Sequence, residues 1–326
     1  MSRMARRPLA AHLLWLGAAS ILFGASPKTE EAVRLFEAHR TAEARPLLEA
    51  AVREDPADAR AAHYLGRALL AADEVDKAVE WMEKSVSLDG IQVDYHLWLG
   101  RAYGAKAMRA NVFQQPSLAG KVRREFERAS ALDPENLEAR FGLIEFYLRA
   151  PGVMGGSLAK AQEQAAEIRK RDALQGHRAT GRVAEHEKWY DAARAEYAAA
   201  LRDFPERTEP YYWMASFYER RKDYGRAFEM YEKLVEKKTD EFNACYQIGR
   251  AAGVSGENLD RGVECLKRYL GHAPGAEDPS LAWAHYRLGA VYEKKRERDL
   301  AKAEYNTALS LDPGLRDARH ALAAIK

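Results

Sequence analysis

The chain is 326 residues long, with 47% hydrophobic and 31% charged side chains, 12 prolines and two cysteines. That mixture belongs to a soluble helical protein and excludes a collagen-like or disordered chain. A formal net charge of +2 gives no bulk basicity of the kind that points to nucleic acid, so no nucleic-acid partner is expected.

Residues 1–26 stand apart. Arg3, Arg6 and Arg7 precede an apolar run from Leu9 to Ala25 broken only by His12 and Ser20, and the first acidic residue is Glu30. A basic start, an apolar centre and small residues at its end form the pattern of a secretory signal. The chain is therefore expected to be exported, to a periplasm or to the medium. An uncleaved N-terminal anchor is the alternative, and the only membrane association expected, since the run is at the short limit for spanning a bilayer. Setting aside the three arginines leaves 48 basic against 49 acidic residues, so the remainder is close to neutral.

From residue 27 onward the chain repeats itself. Leu-Gly pairs stand at Leu65-Gly66, Leu99-Gly100 and Leu288-Gly289, and helix-like runs close on Leu88-Asp89-Gly90, Leu132-Asp133-Pro134 and Leu311-Asp312-Pro313. A small residue recurs about twelve positions after the Leu-Gly position, with a large apolar residue four later. Unit one is degenerate, with Ala32, Leu35, Ala44, Leu48, Ala51 and Pro56. Unit two has Leu65, Leu69, Ala78 and Met82; unit three has Leu99, Tyr103, Phe126 and Ala129. Unit four runs Leu143, Tyr147, Ala161, Ala165 and Ile168, and unit five Thr180, Gly181, Ala193, Tyr197 and Ala200. Unit six has Met214, Ala215, Ala227 and Tyr231; unit seven Ile248, Gly249, Gly262 and Leu266; unit eight Leu288, Gly289, Ala301, Tyr305 and Ala308. Four-residue spacing places side chains on one helix face, and Pro just past a helix stops it. Each unit thus reads as a helical hairpin, with the small residues of the two helices expected to face each other. Leu315 to Ile325 reads as a single helix covering the last seam.

These motifs resemble the tetratricopeptide repeat (TPR) family, whose period is about 34 residues, across residues 27–326. The resemblance implies an all-α, right-handed superhelical solenoid of about eight hairpins with a C-terminal capping helix. The phrase Ala150 to Gly156 is similar to one in a group of bacterial TPR proteins. In such arrays the first helices line a concave groove. The resemblance therefore sends two columns into it: Arg67, Arg101, Arg182 and Arg250, just after the Leu-Gly position, and His63, Leu97, Phe141, Arg178, Tyr212, Tyr246 and Tyr286, two residues before the Leu position. Arginine offers planar bidentate donors and tyrosine rigid contact area. An extended, partly acidic peptide or protein segment is the expected partner. The plainer reading is that these arginines pair with groove acids such as Asp94, Glu138, Glu145, Glu209 and Glu219.

Two units carry insertions, about 105–117 and 151–157, at the same point of the hairpin. Both are expected as loops on one edge that carry apolar residues, Phe113 and Met154 among them, and pack together with Phe113 at least half buried, forming a lip beside the groove opening. A small-molecule or glycan pocket beneath them, in an accessory subunit, is the alternative function. His96, His177 and His285 recur three residues before the Leu-Gly position, a unit or more apart. They read as packing histidines rather than metal ligands. The sequence carries no HExxH, GxSxG or P-loop motif, so neither catalysis, metal nor cofactor is expected. Cys245 and Cys265, on the two helices of unit seven, read either as buried thiols in a seam or as a disulfide in an exported chain.

Overall fold

The computed structural model describes residues 26–238, 240–275 and 278–325. The signal or anchor expected over 1–26 lies, Ser26 apart, outside them. Among the described residues there is no strand, and no helix is long and apolar enough to cross a membrane.

Eight antiparallel helical hairpins follow one another, each packed on the next. Unit one pairs α1 (Pro27–Glu37) with α2 (Thr41–Glu54), and unit two α3 (Ala59–Ala71) with α4 (Val75–Leu88). Unit three is α5 (Val93–Arg109) and α6 (Gln115–Leu132); unit four is α7 (Leu137–Arg149) and α8 (Leu158–Arg171), joined through a 3₁₀ turn at Gly152–Met154. Units five and six are α9 (Ala173–His186) with α10 (Tyr190–Asp203) and α11 (Glu209–Arg220) with α12 (Tyr224–Lys237). Units seven and eight are α13 (Phe242–Ser255) with α14 (Leu259–Leu270) and α15 (Leu281–Lys294) with α16 (Arg298–Leu311); α17 (Arg316–Ala324) caps the array. Several first helices start on a side-chain cap: Asp58, Asn136, Asp172 and Ser280 each accept a backbone N–H three residues on.

The periodic residues form the core. Ala78, Ala129, Ala161, Ala193, Ala227 and Ala301 are fully buried, as are Tyr197, Tyr231 and Tyr305 to within 1%. Burying large apolar side chains contributes about 1.5–3 kcal/mol each, and each alanine methyl about 0.8 kcal/mol. The expected small-on-small contact holds in unit seven, where a Cβ at Gly262 would lie 2.6 Å from Cβ of Ala252, but the position of the Leu-Gly glycine differs from it. The glycine of the first helix stands under the large residue of the second. A Cβ at Gly181 would lie 2.5 Å from the Tyr197 ring, one at Gly289 2.5 Å from Tyr305, and one at Gly249 2.2 Å from Leu266. The glycine is thus a socket for a ring or branched chain, and the alanine one turn earlier lets that helix approach.

Five uninterrupted hairpins turn in the same way. His39, Asp73, Lys188, Lys222 and Arg296 each adopt a left-handed backbone, with φ between 58° and 68°. The backbone hydrogen bonds these turns make hold non-glycine residues there, for example Glu74 N–H to Leu69 O at 2.9 Å.

The insertions correct two expectations. Residues 105–109 and 115–117 are not loop: they extend α5 and α6, leaving a short turn at 110–114. Alanine, lysine and methionine are strong helix formers, and the hairpin lengthens rather than bulging. Phe113 is 89% exposed instead of half buried. Its turn is set by Asn111, whose side chain accepts the N–H groups of Phe113 and Gln114 at 3.1 and 3.2 Å, so no apolar anchor is required. Met154, in contrast, is partly buried against the core of units three and four.

The array coils far enough for its two ends to meet. Arg316 of α17 lies 3.3 Å from Asp73 in the turn of unit two, and Arg109 also pairs with Asp73. Arg34, Glu37, Ala38 and His39 of unit one face Pro274, Gly275, Ser280 and Leu281 at the entry to unit eight.

Candidate functional site

Consecutive first helices touch along one side, as α3 does with α5, α5 with α7, and α7 with α9. That side is the shorter one of the stack, and it is concave.

The arginine column after the Leu-Gly position is ion-paired across units. Arg101 bonds Glu138 at 2.6 Å, Arg182 bonds Glu145 at 2.6 Å, and Arg250 takes Glu219 in a two-pronged contact at 2.7 and 2.6 Å. Arg67 approaches Asp94 only to 3.9 Å, and stacks instead on Trp98 at 4.4 Å and Tyr64 at 4.8 Å. Glu209 pairs with Arg207 rather than with the column. Burial pushes the Glu145 pKa up, but Arg182 and Arg149 outweigh it and hold the carboxyl below its ordinary range. Burial likewise opposes charge on Arg182 and Arg250, and the carboxylates of Glu145 and Glu219 reverse that, leaving both guanidinium pKa values raised. These pairs are shared between neighbours, so they fix how one unit sits on the next.

The second column divides. His63 is 1% exposed and stacks on Tyr95 of the next unit at 4.5 Å. Its Nε2 is 2.9 Å from Asp94 but off hydrogen-bonding geometry, and burial lowers its pKa, keeping the ring neutral. Tyr246 is 5% exposed, against Tyr269. Tyr212 donates its hydroxyl to Glu241 at 2.7 Å, and burial followed by that carboxylate pushes its pKa up. His63 and Tyr212 thus reach toward the following unit while Tyr246 packs within its own hairpin, and burial removes His63, Leu97 and Tyr246 from the accessible groove. Tyr286 packs beside Trp283, with Arg287 over both rings.

Phe141 and Arg178 remain in the open, and they converge on one cavity. It measures about 940 Å³ and is bounded by units three to six. Its floor is Val122, Phe126 and Phe146, and the inserts contribute Met108 and Met154 to its edge. Arg101, Arg149, Arg178, Arg182 and Arg220 line it with only Glu138 and Glu145 as acids. Arg178 lies over Phe141 at 4.7 Å and 5.7 Å from Trp213, and its only hydrogen bond among the described residues is a long one, 3.4 Å, to Gln175. Those apolar walls, and then Arg182, lower its pKa.

Trp98 and Trp213 escaped the column reading because they stand one residue before the Leu position, adjacent to the column chosen. A second signal is repetitive: Tyr197, Tyr231 and Tyr305 donate their hydroxyls to Glu185, Glu219 and Glu293, always twelve residues earlier. The three recurrent histidines pack as expected, each bonding through Nδ1 to a glutamate of its own hairpin: Glu125, Glu196 and Glu304 at 2.6, 2.7 and 2.6 Å. The separation is 29 residues in unit three and 19 in the other two, so the ten extra residues of unit three leave the contact intact. Among the described residues no group of three or more His, Cys, Asp or Glu could hold a metal ion. Cys245 and Cys265 are free and fully buried, their sulfurs 3.2 Å apart. The thiol of Cys265 donates to Cys245, which draws the Cys245 pKa down, while that bond and burial push Cys265 up.

Three segments, residues 35–89, 185–242 and 282–315, match models described as tetratricopeptide repeat. Among solved structures, a thermophilic TPR protein of Thermus thermophilus is 21% identical, with a TM-score of 0.47 over 58% of this chain and 96% of that one. A tetratricopeptide repeat protein from Parabacteroides merdae is 13% identical, with a TM-score of 0.46 over 91% of this chain and 96% of that one. No curated protein matches the chain.

Proposed function

We propose, from the premise that this chain is a tetratricopeptide repeat protein and hence a protein–protein interaction scaffold, that its partner is an extended, partly acidic segment lying along the concave face of units three to six. One observation carries this reading. The accessible arginine and aromatic side chains gather there, around Phe141, Arg178 and Trp213, whereas most of the groove's other arginines are neutralised by neighbouring units. Large rigid rings beside an unpaired guanidinium are what hot spots of binding are made of. We further propose that the chain meets its partner outside the cytoplasm, on the strength of the basic and apolar start of the sequence. Affinity capture from an envelope extract tests the groove. Replacing Phe141 and Trp213 together by Ala should abolish retention of the partner while the helical signal stays. Undiminished retention would move the interface elsewhere.

A second reading has its own support. Both insertions border the cavity, through Ala105, Met108, Pro151 and Met154, so the cavity also suits a small molecule held beneath them.

A further inference from the structure

We propose that the cavity of units three to six receives a free amphiphilic carboxylate, with its head on Arg178 and its chain on the apolar floor beside the two inserts. This deepens the small-molecule reading and rests on it.

The floor is carbon. Ala119, Val122 and Phe126 of α6 meet Phe146 of α7, and Met108 and Met154 close the edge. Methionine adapts its shape to irregular apolar guests. The space is also left open by composition. Gly104 lines the cavity, and a Cβ built there would meet nothing within 4 Å. A volume of about 940 Å³ falls within the range of about 300–1,000 Å³ that small-molecule sites occupy.

The mouth is charged, and its sign selects an anionic head. Arg101 is matched by Glu138, Arg149 and Arg182 share Glu145, and Arg220 takes Glu185 at 2.8 Å. Arg178 alone among these five has no carboxylate partner among the described residues. Five guanidiniums therefore face three carboxylates, Glu138, Glu145 and Glu185, and the excess of positive charge includes Arg178, which favours an anionic head there. Stacking on Phe141 uses the face of the guanidinium, so its N–H edges stay free for a two-pronged bond to a carboxylate. A cationic or neutral amphiphile would find the same floor but would leave Arg178 unmatched.

Calorimetric titration of the purified chain with laurate, lauryl alcohol and lauryl trimethylammonium tests this. Laurate should bind once per chain, at least about tenfold more tightly than the alcohol, a gap of about 1.4 kcal/mol, and the ammonium compound should bind most weakly. Arg178→Gln should bring laurate to the level of the alcohol; Arg178 is exposed and holds no ion pair, and an unchanged helical signal shows that the variant folds. Gly104→Phe, which fills the cavity, should remove binding of laurate and alcohol alike. If laurate and alcohol bind equally, or Arg178→Gln changes nothing while Gly104→Phe still blocks both, the carboxylate is overturned and the small-molecule pocket stands. If Gly104→Phe folds and leaves binding unchanged, or nothing binds at all, the pocket falls with it.

Discussion

Gly181→Ala sets a gain against a loss at one atom. In an exposed helix interior, Gly to Ala gains about 1 kcal/mol from propensity. At Gly181 the new Cβ would lie 2.5 Å from Cε1 and 2.8 Å from Cζ of Tyr197, well inside contact. Tyr197 has little room to yield: it is 1% exposed, packs against Phe217 at 5.9 Å, and its hydroxyl donates to Glu185 at 3.2 Å. Overpacking of a filled core costs about 1–3 kcal/mol, and a pinned ring belongs at the upper end, so a net destabilisation of about 2 kcal/mol is expected. Gly104→Ala serves as the control, since its Cβ meets nothing, and it should stabilise by about 1 kcal/mol. Gly66→Ala should fall between them, because its Cβ would meet Cγ of Met82 at 2.6 Å, an unbranched chain more adaptable than a pinned ring, and the backbone O of Ala78 at 3.2 Å. Urea unfolding followed by circular dichroism gives the three values in one experiment. A Gly181→Ala variant as stable as Gly104→Ala would refute the socket account of the hairpin.

Glu125 raises the pKa of His96 above its ordinary 6.5, against the opposing effect of burial. The stability this pair contributes is fully present below about pH 6.5 and is lost as pH rises through the elevated value. His96→Gln should therefore be less stable than the parent in mild acid, by about 2 kcal/mol for a charge-assisted bond, with the gap narrowing in alkali; a constant gap in denaturation at several pH values would contradict this. Arg316→Ala should cost less than about 1 kcal/mol, as exposed ion pairs do, yet increase the radius of gyration in X-ray scattering by releasing the end of the array from Asp73; an unchanged radius would show that the ends are held by something else. Cys245 and Cys265 should resist a thiol reagent in the folded chain and react on unfolding, because both are fully buried; labelling without denaturant would contradict their place in the seam.

Most of the fold was legible because the solenoid reuses one local rule. Ala193 and Tyr197, or Ala301 and Tyr305, announce the packing face by spacing alone, and prolines such as Pro134 and Pro313 mark where second helices stop. The turns were less visible, since Lys188 and Lys222 take left-handed conformations without the glycine or asparagine that usually signals one. The groove was half legible. Position after the Leu-Gly pair identified Arg101 and Arg182, but whether each is free depends on Glu138 and Glu145, which lie 37 residues away in both cases. Phe113 misled because an apolar residue in an insertion suggests burial, whereas Asn111 alone suffices to shape that turn.

Site-specific photo-crosslinking in the producing cell tests the central claim most directly. A photoreactive residue at position 141 or 213, on the concave face, should yield a crosslinked protein partner, and one at exposed Glu229 on a second helix should not. Crosslinks from position 229 with none from 141 or 213 would contradict the concave face as the binding surface.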